Sequence, residues 1–341
     1  MLPTLGIDSS KDSFHVELSV NDKLRHRRFS NRPAGFAELS VWLTKHKIAR
    51  VHACLEATGP YSEALALYLH EHGHTVSVVN PARIKAFGQS ELLRNKDDRP
   101  DAALIRRFCE TQRPSAWTPP TPQLRELQSL TRQLDNLLET RQQQVNRLEA
   151  SNAKSVVKSL RKLIAHLDAE LQRTEQQIAE HMDRHPDLKQ QCQLLLSIPG
   201  IGQRTAAKLL AEIEGLNKYE SARQVAAYAG LTPKNNRSGT LRGRTRLSKT
   251  GNARVRKALF LPAIVAQQYN PIVRAFCQRL AQRGKTKMQI VGAAMRKLIH
   301  IAYGVLKTNQ RFDPNHELYL NPSLDFQDGI SGPQLLSFVI Q

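Results

Sequence analysis

From Ser221 to Phe312 the chain contains no aspartate or glutamate, across 92 residues that hold 19 lysines and arginines. The rest of the sequence is nearly neutral, with 31 basic residues against 30 acidic ones, so this one region carries almost all of the net charge of +20. The solvated face of an ordinary domain mixes both signs. A fold built from this segment has no carboxylates of its own to pair with its cations, and its surface is suited to lie against phosphates. A nucleic acid is therefore the expected partner.

At 341 residues the chain can bury a sizeable core, and two domains are the natural expectation. Hydrophobic residues make up 40%, and no stretch approaches the ~18 apolar residues of a membrane span. The longest apolar run, Ala258 to Ala266, is short and contains Pro262. Met1-Leu2-Pro3-Thr4 lacks the charged-then-apolar pattern of a secretory leader. A cytoplasmic protein without a membrane partner is expected. Cys54, Cys109, Cys192 and Cys277 form no C-x-x-C pair, so they read as buried free thiols rather than a zinc site or a disulfide framework.

The first segment reads as α/β. Thr4–Asp8 is a short apolar strand ending in an acid, Phe14–Leu18 alternates as a second strand, and Lys23–Phe29 fits a third. Phe36, Leu39, Trp42 and Leu43 give helical spacing within Phe36–Lys47, and Arg50–Leu55 is a buried-type strand running into Glu56. Tyr61–Gly73 predicts a helix, Thr75–Val79 a strand and Asp98–Glu110 a helix. Three early strands followed by alternating helix and strand match the element order of a ribonuclease-H-like (RuvC-like) fold over residues 1–112.

Prolines at 114, 119, 120 and 122 mark a linker. Beyond it, Leu127, Leu130, Leu134, Leu137, Val145 and Leu148 form one stripe, interrupted at Arg141. Leu160, Leu163, Leu167, Leu171, Ile178 and Met182 form a second. These spacings predict two long helices turning near Ser151-Asn152, an antiparallel coiled-coil arm that closes on itself as a bundle or pairs with another subunit. Linker and arm occupy 113–190. A basic, mainly helical domain follows at 191–313, and a tail at 314–341 ends in an apolar run to which no function is given.

Four acids stand out. Asp8 ends the first strand, Glu56 ends a later one, and Asp98 and Asp101 share one face at the start of a helix. Acids on neighbouring strand ends and a helix can converge on one point. Hard oxygen ligands suit Mg²⁺, and two ions ~3.5–4 Å apart would serve phosphoryl transfer. The plainer alternatives are that Asp98 and Asp101 only cap a helix and that Asp8 with Ser9-Ser10 only forms a turn. Asp97 could replace Asp98 as a ligand.

In the basic region, Ile198-Pro199-Gly200-Ile201-Gly202-Gln203-Arg204 reads as a helix-hairpin-helix. Gly200 and Gly202 permit a tight turn whose amides, together with Arg204, can hold a phosphate without reading bases. A simple packing corner is the alternative. Residues 229–244 then read as an exposed glycine-rich loop in which Ser238 stands among Arg237, Arg242, Arg244 and Arg246. Lys234, Lys249 and Arg254 extend this set of expected phosphate contacts. A hydroxyl attacking a phosphodiester needs positioning and charge neutralisation, and arginine forks supply both. Thr240, Thr245 and Ser248 compete with Ser238, and the loop could simply grip phosphates.

The ordered set Gly6-Ile7-Asp8, Leu55-Glu56-Ala57-Thr58-Gly59, Leu93 to Ala102, Ile198 to Gly202, and Gly230-Leu231-Thr232-Pro233 leading to Ser238-Gly239 resembles the IS110 family of transposases, the bridge recombinases, over roughly residues 4 to 313. That resemblance implies a RuvC-like domain with an Asp-Glu-Asp-Asp set at Asp8, Glu56, Asp98 and Asp101. It also implies a coiled-coil arm and a transposase domain whose Ser238 becomes phosphoserine-linked to DNA. Donor and target DNA, a structured guide RNA and a dimer assembling to a tetramer are the implied partners, with carboxylates and serine of different subunits sharing one active site. A junction-cleaving nuclease using water, and a non-catalytic nucleic-acid-binding protein, are the competing readings.

Overall fold

The computed structural model describes residues 2–21, 23–57, 59–91, 98–213, 215, 219–234, 237–238, 241–242 and 246–315, with the backbone alone described at 60, 98–100, 237–238 and 241–242. Internal contacts divide the chain into two compact units, Met1–Pro119 and Pro120–Gln341. The division falls inside the proline-rich segment.

The first unit runs β1 (Thr4–Ser9), β2 (Ser13–Val20), β3 (Lys23–Ser30), α1 (Pro33–Lys45), β4 (His52–Glu56), α2 (Pro60–Glu71), β5 (Thr75–Val79), α3 (Pro81–Ser90) and α4 (Asp98–Gln112). It is an α/β unit with a five-stranded mixed sheet of order β3-β2-β1-β4-β5. β1, β2 and β3 are antiparallel neighbours, and β4 and β5 run parallel to β1. All five expected strands are present, β5 with its expected bounds, whereas β4 starts two residues later than expected and includes Glu56. Helix α3 is an addition, because its sequence has little apolar periodicity. It starts instead from a local signal, the Asn80 side chain accepting from the Ala82 N–H at 2.8 Å, followed by Pro81 in the first turn.

One face of the sheet buries Leu5, Ile7, Phe14, Val16 and Leu18 in a core shared with Phe36, Leu39, Trp42 and Leu43 of α1 and with Leu65 and Leu69 of α2. The register puts His26, Glu17, Gly6, Cys54 and Ser77 in one row across the other face. Helix α4 lies over that row at Gly6. A Cβ on Gly6 would sit 2.2 Å from the Ala102 carbonyl oxygen and 2.4 Å from the Arg106 nitrogen, so only glycine admits the helix this close. Arg106 fixes it in place. Its Nε donates to Glu17 Oε1 at 2.6 Å and one terminal nitrogen donates to Glu110 Oε2 at 2.5 Å, while Glu17 Oε2 lies 2.8 Å from His26 Nε2. Glu17 and Arg106 are both buried.

The second unit begins with α5 (Pro122–Glu149) and α6 (Lys154–Arg184), an antiparallel helical hairpin turning at residues 150–153. The interruption of the stripe at Arg141 has a partner on the opposing helix, since Arg141 makes a two-pronged ion pair with Asp168. Leu163 is 42% exposed, so it lies outside the seam that the spacing assigned to it. The base of the hairpin has no separate core. Leu127, Leu134, Leu171, Ile178 and Met182 join one hydrophobic cluster with α7 (Pro186–Leu196), α8 (Gln203–Glu212), α9 (Ala222–Tyr228) and three later helices. Between α9 and those helices lie four two-residue strands, β6 (Pro233–Lys234), β7 (Arg237–Ser238), β8 (Leu241–Arg242) and β9 (Arg246–Leu247). The closing helices are α10 (Ala253–Tyr269), α11 (Pro271–Gln282) and α12 (Lys287–Thr308), the last supplying Leu298, Ile299, Ala302 and Val305 to the core. All four cysteines are buried and free. Among the described residues no helix is long and apolar enough to cross a membrane.

Removing one member of a buried ion pair leaves the other charge uncompensated, at a cost of about 3–5 kcal/mol, whereas replacing both with apolar residues is close to neutral. Glu17→Ala is expected to destabilise the first unit by that amount in urea unfolding. Glu17→Leu combined with Arg106→Met is expected to recover most of it.

Candidate active site and nucleic-acid interface

Asp8 and Glu56 are placed by register. Ile7 of β1 pairs with Leu55 of β4 in parallel, so the residues that follow them are neighbours at the same end of the sheet. Side chains alternate along a strand. Asp8 therefore shares the face of Gly6, and Glu56 that of Cys54, which is the face covered by α4. Asp101 directly precedes Ala102, whose carbonyl oxygen lies against Gly6. Burial pushes the Glu56 carboxyl above its ordinary 4.5, and the negative charges of Asp8 and Asp101 push it in the same direction. Three acids from three elements thus share one electrostatic neighbourhood. Asp8 lies within its strand, and the turn that follows is made by Ser10 and Ser13. Asp98 opens α4 one turn before Asp101. The Asp98 side chain and the whole of Asp97 lie outside the described residues.

Among the described residues no three metal-ligating side chains stand close enough to form a finished cage. The donor set nevertheless has the right chemistry for a divalent ion. It is made of carboxylate oxygens only, half-buried, and its mutual repulsion is of the kind a bound cation relieves.

The predicted hairpin joins α7 to α8. Gly200 has φ +105, and a Cβ there would meet the Ala266 Cβ at 2.8 Å and the Pro262 carbonyl oxygen at 3.0 Å. Gly200 is thereby committed to packing on α10. Gly202 has no atom within 4 Å of its Cβ position and stands open at the first turn of α8. Arg204 is paired with Glu175 of α6, and the arm pairs with other cations of this unit through Asp135 to Lys208 and Glu139 to Lys257. Of these cations Lys257 lies in the acid-free segment and takes its counter-charge from the arm, whereas Arg204 and Lys208 lie in α8 before that segment begins. Burial and then the charges of Arg296, Lys297 and Arg223 hold His300 down at about 3.

The serine segment differs from the open loop that its composition predicts. β6 pairs with β9, and inside that pair β7 pairs with β8, so that Arg237 faces Arg242 and Ser238 faces Leu241. Its neck is fixed by Gly230 (φ +68) and Gly251 (φ +138), which pack against the Thr250 and Tyr228 carbonyl oxygens at 3.0 and 2.3 Å from their Cβ positions. Lys249 N–H donates to the Gly230 carbonyl at 3.2 Å and Ser248 N–H to that of Thr232 at 2.8 Å. Lys234, Arg246 and Lys249 are exposed, and Arg254 lies 3.9 Å from Glu212. The side chains of Arg237, Ser238 and Arg242 and the whole of Arg244, Thr240 and Thr245 lie outside the described residues.

A family model for transposases, the DEDD type of IS110, matches residues 5–153. A second, described as the transposase IS116/IS110/IS902 family, matches residues 192–278. The pilin gene-inverting protein of Moraxella bovis is 34% identical over 91% of this chain and 97% of its own length. The chain belongs to the IS110 family of transposases. The transposase for insertion sequence element IS1328 of Yersinia enterocolitica is a more distant relative, 29% identical over 77% of this chain and 84% of its own. This transposase is accordingly an enzyme that cleaves and transfers DNA strands, and its two matched segments hold the carboxylates and the serine hairpin respectively.

One residue of the transposase has a role that its sequence setting does not announce. Glu212, 6% exposed at the end of α8, accepts from Arg132 Nε of α5 at 2.9 Å and from Asn252 Nδ2 at 3.0 Å. Its carbonyl accepts from the Tyr228 hydroxyl at 2.9 Å. Asn252 also caps α10 just beyond the hairpin neck. The available signal is that Glu212 is among the last acids before the acid-free segment begins.

A raised carboxyl pKa means that the folded chain holds the proton better than the unfolded chain. The associated stability is present at low pH and is lost as pH rises from about 4.5 through the folded value. Metal-free protein is expected to lose thermal stability over that window, and Glu56→Gln to flatten the loss. Melting temperatures measured across pH in a chelator check this.

Proposed function

We propose that this transposase is a site-specific recombinase. In this reading Asp8, Glu56, Asp98 and Asp101 hold a divalent ion, Mg²⁺ and in all two of them, at the end of a ribonuclease-H-like sheet, and Ser238 is the nucleophile. The observation that carries the reading is the shared neighbourhood of Asp8, Glu56 and Asp101, in which burial and then the charges of Asp8 and Asp101 raise Glu56. Bound divalent ions would supply charge neutralisation at the scissile phosphate. The protein's own groups do the rest. Ser238 Oγ bonds to phosphorus as one strand ester breaks, and the serine proton ends on the departing strand oxygen. The resulting phosphoserine keeps a phosphodiester in hand, so the hydroxyl of an incoming strand can attack it, reseal DNA and restore the serine. Arg237, Arg242, Arg244 and Arg246 steady the strands, and the open turn at Gly202 binds backbone. The name of the Moraxella relative, a gene-inverting protein, supports exchange rather than simple cutting. A structured guide RNA, a dimer assembling to a tetramer, and separate catalytic, arm, transposase and tail segments belong to the same proposal.

Ser238→Ala decides between serine and water. It removes one hydroxyl from a short strand, so stability is expected to move by less than ~0.5 kcal/mol. DNA binding is expected to persist while both the covalent adduct and the recombinant disappear. Denaturing electrophoresis of labelled DNA retained on the protein reads the adduct, and mass spectrometry locates it. Attachment at Thr240, Thr245 or Ser248 would move the assignment, and efficient cutting by wild-type protein without any adduct would make the protein a nuclease. Asp8→Ala and Glu56→Ala are expected to abolish cleavage in the same assay.

Salt reads the basic segment. Neutralising Arg242, Arg244 and Arg246 together is expected to flatten the log–log dependence of DNA affinity on salt by about 2–3 units if each meets a phosphate. Filter binding at several salt concentrations measures the slope.

A further inference from the structure

We propose that His15 and Arg28 form a phosphate-binding clamp on the open side of the carboxylate site, holding the nucleic-acid strand at a phosphate next to the one that reacts. The inference rests on the reading of Asp8, Glu56 and Asp101 as the reaction centre, and it adds two residues on strands β2 and β3 to which no role has been given.

The register carries it. Asp8 of β1 faces His15 of β2, and His15 faces Arg28 of β3. Partners across an antiparallel pair point to the same side, so Glu56, Asp8, His15 and Arg28 form one row on the face covered by α4. In that row two acids lie beside two basic groups. Strand spacing is about 4.8 Å, which puts Arg28 about 10 Å from the strand of Asp8, within reach of a phosphate flanking one held at the carboxylates. The structure has space there. A cavity of about 220 Å³ is lined by His15, Val16, His26, Arg27, Arg28 and Ala102, the residue after Asp101. The alternation of β3 separates its cations into two sets. Phe29 packs inward on Phe14 and Trp42 with Arg27 over its ring. Arg25 and Arg27 share the side of Phe29, whereas His26 and Arg28 share the α4 side. His26 lines the same cavity and lies 2.8 Å from Glu17, at the next pair on the same face of the strands.

The chemistry calls for such a clamp. A DNA or RNA strand laid over several carboxylates is repelled everywhere except at a bound cation. An arginine fork beside the acids meets a phosphate in a bidentate fashion, and an imidazole can donate to the same oxygens in either charge state. The competing explanation is that β3 is an edge strand whose cations only discourage pairing with another chain. Arg25 and Arg27 would serve that purpose as well as Arg28, and this separates the two explanations.

Full-length protein is compared as wild type, Arg28→Gln, Arg28→Lys, His15→Gln, Arg25→Gln and Asp8→Asn, in single-turnover cleavage at saturating DNA. Arg28→Gln is expected to slow cleavage 10- to 100-fold, Arg28→Lys to recover part of the rate, and Arg25→Gln to leave it unchanged. The Mg²⁺ concentration at half-maximal rate is expected to stay fixed in His15→Gln. A rise there would make His15 a positioning residue for Asp8 and overturn its place in the clamp. Equal losses with Arg25→Gln and Arg28→Gln, or none with Arg28→Gln while Asp8→Asn is inactive, would overturn the clamp and leave the carboxylate centre standing. Normal cleavage by Asp8→Asn would overturn both. A second readout does not need activity. With calcium present, titrating histidine-¹⁵N-labelled protein with a short oligothymidylate is expected to shift the His15 resonance, assigned by its loss in His15→Gln, and not that of His46. An unmoved His15 signal would overturn the proposal.

Discussion

The first unit depends on the contact between a helix backbone and a glycine. At Gly6 the Ala102 carbonyl and the Arg106 amide come so near to β1 that no side chain fits between them. That approach sets how far Asp101 stands from Asp8, and through the β1–β4 register from Glu56. The Glu17–Arg106 pair, buried on the same face, fixes the helix along its length. Buried ion pairs are poor sources of stability but demanding in geometry. Here the geometry sets the spacing of Asp8 and Asp101 on the face of the sheet covered by α4.

The second unit handles its charge differently. Its C-terminal helices have no acids, and the long helical hairpin supplies one through Glu139 to Lys257 of α10, while its Asp135 and Glu175 pair with Lys208 and Arg204 of α8. Because the hairpin base shares the hydrophobic core of those helices, these pairs lie on a surface that is already ordered. Burial first and then the charges of Arg296, Lys297 and Arg223 hold His300 of α12 low. The arm is thus both a long helical element and a local source of counter-charge for α8 and α10.

The legible parts of the sequence were those governed by short-range rules. Alternation located β2, and short apolar runs located the central β1 and β4, because a strand with one face on a core repeats every second position whereas a strand buried on both faces does not. β5 was placed to the residue, Thr75–Val79. The carboxylates were legible as strand-end acids, although their convergence needed the parallel register that only the fold provides. Three things could not be read. Gly200 looked like a phosphate-turn glycine, yet its lack of a side chain is explained by Ala266 and Pro262, residues distant in sequence. Helix α3 starts from an Asn-Pro cap and has almost no apolar stripe. The segment around Ser238 has loop composition but forms nested pairs of two-residue strands, because its ends are brought together by Gly230 and Gly251 and closure of the neck favours pairing beyond it.

That neck has a consequence for how members of such a family can diverge. Its two ends are held by backbone bonds and by glycines whose conformations other residues rarely adopt, so the base tolerates little change. Among the described residues at this segment's far end, Leu247 packs against the hydrophobic core. Doubling the length of such a closed segment adds only about 0.6 kcal/mol of closure entropy. The hairpin can therefore behave as an exchangeable cassette, lengthening, shortening or being swapped between relatives while the helices beneath keep their packing.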